Sequence, residues 1–316
     1  ENGDSPDWFE LLNAGNAPVN LSGWGVSDDR NRPFKWVFKE ATLQPGEYMV
    51  VFASGKDRQP GAVSSLGPTN LAGLRLWLRA DAVNTNDTAQ VRRVGSDVFV
   101  RQWIDQSGCG NHAVQPDVTR QPTISEGWFK GNQALRFDGV NDMLALPRVL
   151  ATNSFCLFVV FRTSQSHEID SESSGDVGGV SGQRYLFGAQ HGGDYNAGMG
   201  LSVGTNGISV YEHGSSYMPA IAVYRGPVGN GRAVAAVNYD VKQVSIDFQG
   251  LPVRKGLTSV RAQVMAPVEI GAGSYGAFGG ELAEVLLYDR PLSENERSGV
   301  GAYLVEKYGI VVSAPR

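Results

Sequence analysis

The run Glu281–Tyr288 constrains this chain more than any other stretch. Read as a strand, it turns Ala283, Val285 and Leu287 to one side and Leu282, Glu284, Leu286 and Tyr288 to the other. Both sides are apolar, one of them interrupted by a carboxylate and a phenol. Such a strand belongs inside a sheet that is covered on both faces, not at a wet margin. Asp289, Arg290 and Pro291 end it. Ser293, with Glu296 three residues on, forms a capping box that starts a helix. Val300, Tyr303, Leu304 and Lys307 fall on one helical stripe, and Gly309 stands where a C-terminal cap belongs. A strand of this kind needs partners, and the rest of the chain must provide them.

Several stretches qualify. Leu74–Asp81 alternates, with Leu74, Leu76 and Leu78 opposite Arg75, Trp77 and Arg79. Val100–Gly108 reads as a strand and a turn. Ala134–Leu146 reads as a strand, an acidic turn and a second strand. Phe155–Arg162 is apolar on both faces and should be central. Ala233–Tyr239 and Gln243–Phe248 read as a hairpin joined near Asp240. With 40 glycines and 15 prolines punctuating about ten short strands, and one terminal helix, the pattern predicts two stacked sheets, a jelly roll.

Upstream, Asp7–Asn13 alternates like a strand, Ala17–Asp29 is bounded by turns, Lys35–Phe38 is short, and Leu43–Gly55 is a Pro-Gly turn followed by a strand. Asp7-Trp8 with Glu10-Leu11, Leu21–Trp24 with Ser27–Asp29, and Pro45–Tyr48 with Ala53–Lys56 resemble the lamin-tail domain, an immunoglobulin-like sandwich. The resemblance covers only the middle of such a domain, because its opening strand and its later strands have no counterpart here. About 56 residues bury too little surface to close a sandwich unaided. The expectation is an open sheet edge that accepts a strand from a neighbouring chain, and with it a homo-oligomer formed through this half-domain. The start at Glu1, in mid-pattern, reads as a processed or excised fragment.

Residues 70–316 resemble laminin-G-like, concanavalin-A-like jelly-roll domains of bacterial secreted proteins. Leu76–Asp81, Trp103 with Asp105–Gly108 and Gly110-Asn111, Arg136–Gly139 with Asp142, Gly207–Gly214 and Leu282–Gly309 carry the likeness. It implies an extracellular or cell-surface setting, and a fold that hosts lectins, adhesion modules, glycanases and lyases alike. The predicted fold class is therefore all-β. An incomplete immunoglobulin-like sandwich spans residues 1–56, a small-residue linker 57–69, and a two-sheet jelly roll with a short C-terminal helix 70–316.

A formal charge of −5 without a basic stripe argues against nucleic acid as a partner. No apolar run approaches the ~20 residues of a membrane span. Cys109 and Cys156 read either as a disulfide in an oxidising compartment or as two unrelated small residues. Family members carry other residues at both places, and the coincidence of two departures favours the disulfide.

Four groups of residues compete as sites. Glu168-Ile169-Asp170-Ser171-Glu172 resembles the Glu-x-Asp-x-Glu signature of retaining β-glucanases, in which the first Glu is the nucleophile and the last the acid/base. That chemistry needs carboxyls about 5 Å apart. The polar, loop-like flanks here favour a mobile surface insertion instead. Tyr211, Glu212 and His213, with Tyr217 and with His191, Asp194 and Tyr195, read as a polar, aromatic-lined groove or as groups that brace buried structure. Asp138, Asn141 and Asp142 place three hard oxygen ligands in one turn, which suits Ca2+, and Asp176 offers a fourth; the turn also forms without an ion. Trp77, Trp103, Trp128, Tyr211, Tyr217 and Tyr288 are candidates for sugar stacking, with Trp77 the best placed. The first expectation is a non-catalytic binding or adhesion module for a glycan or a cell-surface or matrix component. A self-assembling surface or filament subunit comes second, and a glycan-cleaving hydrolase or lyase third.

Overall fold

A computed structural model describes residues 8–38, 41–52, 65–215, 218–273 and 275–310. The chain divides into two units, Glu1–Ser64 and Ser65–Arg316.

In the second unit the closing strand runs Gly279–Tyr288. Along one side it pairs antiparallel with Phe155–Arg162. Its other side is shared by Asn132–Asp138 at the start and Leu74–Arg79 at the end. Further strands extend this sheet both ways. Ala233–Asp240, Gln243–Phe248 and Leu251–Thr258 lie beyond Phe155–Arg162, and Thr123–Phe129, Asp97–Val100 and Val91–Val94 lie beyond Asn132–Asp138. A second, nine-stranded sheet faces it, built mainly from Tyr185–Gly188, Asn196–Gly204, Gly207–His213 and Ala220–Tyr224. The described residues are thus nearly all β, two stacked sheets with one helix at the end.

Alternation sorts the side chains between layers. Phe155, Leu157, Val159 and Phe161 enter the core between the sheets, with Leu76, Leu78, Leu201, Val210 and Val237. Cys156, Phe158 and Val160 point the other way, beneath the terminal helix Glu294–Tyr308 and its Val300, Leu304 and Tyr308. Each large side chain sealed in this way contributes about 1.5–3 kcal/mol. The helix begins at the Ser293–Glu296 capping box and ends at Gly309, whose φ of 57° lies in the left-handed region and lets its N–H cap Glu306 and Val305.

The closing strand departs from simple alternation. Val160 lies opposite Glu284 but Phe161 lies opposite Leu282, so Ala283 is an extra residue in a bulge. Leu282, Val285 and Leu287 therefore share the inner core, while Ala283, Leu286 and Tyr288 lie under the helix. A strict period of two puts Leu282 with Leu286, and the bulge reverses that. The hairpin after Asp240 turns on Val241 and Lys242, both at positive φ.

The two cysteines are not bonded: Cys109 is exposed and Cys156 buried, and both are free. Cys156 is sealed under the helix opposite Tyr288, whereas Cys109 sits on an outer turn with its thiol on the Leu74 carbonyl at 3.7 Å. A disulfide needs both sulfurs side by side, and here one thiol is exposed on a turn while the other is sealed in the layer beneath the helix.

Among its described residues the first unit has three two-stranded ladders: Trp8–Leu12 with Tyr48–Phe52, Val19–Asn20 with Thr42–Leu43, and Gly25–Val26 with Trp36–Val37. Leu21, Phe38 and Leu43 are its buried apolar centre, and Trp36 stands edge-on to Phe38 at 4.6 Å.

Candidate ligand-binding cleft

On the outer face of the ten-stranded sheet, three strands bring Phe99, Thr123 and Arg136 into one row. Thr123 lies opposite Phe99 on one side and Arg136 on the other. Two residues beyond Arg136, on the same face, Asp138 opens a turn that ends at Asp142. The segment Gln115–Gln121 forms the opposite wall. Together Phe99, Val118, Thr119, Gln121, Thr123, Arg136, Asp138 and Asp142 line an open cleft of about 230 Å3.

Local hydrogen bonds fix the walls. Asp138 Oδ1 accepts the N–H groups of Val140, Asn141 and Asp142 at 2.8, 3.1 and 3.3 Å. Asp142 Oδ2 accepts the Asp138 N–H at 2.9 Å. Arg120 ties the loop to this turn by donating Nε–H to the Asn141 carbonyl at 3.3 Å. Arg92 lies over the Phe99 ring at 4.3 Å and donates Nε–H to Gln121 Oε1 at 3.2 Å. The two carboxylates are driven apart electrostatically. Burial, reinforced by the neighbouring Asp138 charge, pushes Asp142 up to about 6. Burial also acts on Asp138, but its backbone N–H donors outweigh that and hold it below the ordinary range.

Two of the three expected calcium ligands, Asp138 and Asp142, therefore line the cleft. Asn141 sits on the turn between them, and one Asp138 oxygen is already spent on the backbone. No cluster of three His, Cys, Asp or Glu side chains occurs among the described residues.

The other expected site residues are scattered. Trp77 is half-buried beneath the helix, donating its indole N–H to Glu284 Oε1 at 2.6 Å, and does not face outward. Trp103 is fully buried between the sheets. Tyr288 is buried too and donates its hydroxyl to the Pro68 carbonyl at 2.9 Å. Tyr211, Glu212 and His213 are all buried, and alternation turns Glu212 inward while Tyr211 and His213 share the outer face. Tyr211 donates to Asp170 Oδ2 at 2.9 Å on the outer face. Glu212 accepts the hydroxyls of Ser259 at 2.5 Å and Tyr239 at 3.1 Å, and burial raises its pKa. His213 packs edge-on to His191 at 5.0 Å and to Tyr275 at 5.5 Å. These contacts tie all three side chains into the fold. Tyr217 and the side chain of Trp128 lie outside the described residues.

Glu168 and Glu172 stand on an irregular strap, not on a strand. Glu168 is exposed, as is Asp176 further along. Glu172 Oε1 accepts the Val223 N–H and the Arg254 Nε–H, both at 2.7 Å, and Oε2 pairs with Arg254 Nη2. Val223 and Arg254 belong to the margins of the two different sheets, so this carboxylate staples them together. Asp170 anchors the strap further, accepting from Gly179 N–H at 2.8 Å, Gln183 Nε2 at 3.0 Å and Tyr211. The strap is thus tied to the margins of both sheets through Glu172 and bonded again at Asp170.

Phe99, Gln121 and Thr123 were not anticipated. The available signal was parity: Arg136 and Asp138 share the face opposite Leu135 and Phe137, and a polar pair on the back of a core strand marks a surface that something else can meet.

The Lamin Tail Domain family matches residues 1–105, a span that covers the first unit and runs into the second. No curated protein matches the chain. Among solved structures, the binding domain of Paraclostridial Mosquitocidal Protein 1 is 12% identical, with a TM-score of 0.48, over 72% of this chain and 52% of that one. Trypanosoma rangeli sialidase in complex with sialic acid is 17% identical, with a TM-score of 0.46, over 77% of this chain and 35% of that one. The binding domain of Botulinum neurotoxin DC, in complex with rat synaptotagmin II, is 8% identical, with a TM-score of 0.45, over 73% and 52%. The chain spans only about a third to a half of these chains. The neighbours thus include both binding domains and a sialidase. No helix of the described residues is long and apolar enough to cross a membrane.

Proposed function

We propose that the second unit is a non-catalytic carbohydrate-binding module, that the Phe99–Asp142 cleft takes the sugar, and that the chain works outside the cell or on its surface. One observation carries this reading. The row Phe99, Thr123 and Arg136, walled by Gln121, Asp138 and Asp142, offers an aromatic ring beside several fixed hydrogen-bonding groups in an open cleft. Hydroxyl-rich ligands need that combination: directional donors and acceptors for the edges of the ring, and an apolar surface for its C–H face.

A second reading has its own support. Asp138 and Asp142 have pKa values pushed apart, as in acid/base pairs that cleave glycosides. Against it, Asp138 is the hub of three backbone N–H bonds and is held within its turn.

A glycan array probed with the full chain, with and without Ca2+, tests the proposal. The expected result is saccharide binding that Arg136→Ala weakens at least ten-fold, with the glycan recovered intact. No binding under either condition, or an unchanged Arg136→Ala, would reject the cleft. Recovery of shortened glycan, lost in Asp142→Asn, would establish the enzyme instead. Calcium-dependent binding that is lost in Asp138→Asn would make the turn a metal site.

A further inference from the structure

The first unit carries a ladder with two unpaired margins among the described residues. Trp8–Leu12 pairs with Tyr48–Phe52 and with nothing else, and Tyr48–Phe52 likewise. Asn13 donates its N–H to the Glu47 carbonyl at 2.9 Å, which sets the parity of the ladder. Met49 and Val51 turn their backbone groups inward to Leu11 and Phe9. Tyr48, Val50 and Phe52 turn theirs outward. Beside this margin the sheet face is apolar and uncovered: Tyr48 is 55% exposed, Trp8 59% and Leu12 62%. An open row of backbone N–H and C=O groups next to an apolar face is a site for strand addition.

We propose that a second copy of this chain docks along the Tyr48–Phe52 margin, so that two copies share one four-stranded antiparallel sheet. Charge selects the margin. A two-fold axis on Trp8–Leu12 would set Glu10 against Glu10, and like charges opposite each other destabilise a ladder. A two-fold axis through Val50 sets Val50 against Val50 and position 48 against position 52, with no charge in the row. The arrangement is isologous and closes, as most dimers do. In sequence, Glu1–Asp7 and Ala53–Ser64 contain a single large aliphatic or aromatic residue, Val63, whereas a second copy brings Tyr48 and Val50 to the same margin. Sharing also answers a local shortage, because a two-stranded ladder over three fully buried apolar residues is marginal by itself.

Analytical ultracentrifugation of the full chain over a wide concentration range tests this. Wild type is expected to show a monomer–dimer equilibrium. Val50→Lys is expected to weaken it at least ten-fold, because two ammonium groups then meet on the axis. Within its own ladder the new ammonium group would face Glu10, a favourable cross-strand pair, so the unit keeps its fold. Glu10→Lys is expected to leave the dimer constant unchanged within about three-fold, since that margin is not used. Val50→Pro, which removes only an outward N–H, should act like Val50→Lys. The proposal fails if the protein remains monomeric throughout, if Val50→Lys dimerises like wild type, if Glu10→Lys weakens association as much as Val50→Lys, or if open-ended polymers form instead of dimers.

Discussion

Glu284→Gln should unpin the terminal helix from the closing strand. Glu284 is completely buried. Its Oε1 accepts the Trp77 indole N–H at 2.6 Å, and its Oε2 accepts Lys307 Nζ at 2.5 Å and the Tyr308 hydroxyl at 2.6 Å. Glutamine keeps one acceptor oxygen, which can serve Trp77, but aims an NH2 group at the other two donors. Tyr308 can rotate its hydroxyl and accept; an ammonium group has nothing to accept with. Lys307, with only 15% of its side chain exposed, is left with Asp81 at 3.5 Å. Breaking a buried ion pair costs about 3–5 kcal/mol, and the remaining Asp81 contact lowers the expectation to about 2–3 kcal/mol. For a unit of this size that corresponds to roughly 4–10 °C in Tm. Calorimetry and urea unfolding, following the transition of the second unit, measure it. Lys307→Met in the Glu284→Gln background should recover at least ~1.5 kcal/mol relative to additivity, because it removes the stranded cation. If Glu284→Gln falls within ~0.5 kcal/mol of wild type, or the two changes add, the buried network does not hold the helix and this account of the outer layer fails.

Two further outcomes follow from side chains already placed. Asp142, raised by burial to about 6, well above the ordinary aspartate value, keeps its proton longer in the folded chain. Its stabilising contribution is therefore complete below the unfolded value and is lost as pH rises through about 6. Asp142→Asn should match wild type near pH 4 and exceed it by about 1–3 kcal/mol at pH 7.5; equal differences at both pH values in denaturant titrations would contradict the assignment. In the folded protein one thiol, Cys109, should react readily with a thiol reagent. Cys156, buried and with its pKa raised chiefly by that burial, should react only on unfolding. A Cys109–Cys156 linkage in a non-reducing peptide map would refute the layer assignment.

Much of the jelly roll was legible because its strands announce themselves locally. Phe155–Arg162 and Glu281–Tyr288 are apolar on both faces, and both became central partners in one sheet. The Ser293–Glu296 box and Gly309 fixed the ends of the helix with residues only a few positions apart. What alternation could not show was the bulge at Ala283. An extra residue leaves no trace in composition, and its existence depends on the partner strand, which lies far away in the chain. The cysteines misled for a related reason, since spacing along the sequence says nothing about which layer each thiol occupies.

The site divides along the same line. The Asp138–Asp142 turn was readable because its bonds close within four residues. Glu172 was not, because the groups that occupy its two oxygens, Val223 and Arg254, lie 51 and 82 residues away. A carboxylate on a surface strap looks catalytic until both oxygens are accounted for, and here they tie the margins of two sheets. Trp77 followed the same logic: its ring looked outward by parity, yet its N–H was committed to Glu284 from the far end of the chain. The row Phe99, Thr123 and Arg136 reverses the case. None of the three stands out in its own strand, and only the register of three strands makes them neighbours. Glu172 and Trp77 looked functional alone and are tied into structure, whereas the row beside the Asp138–Asp142 turn is assembled from residues that looked ordinary.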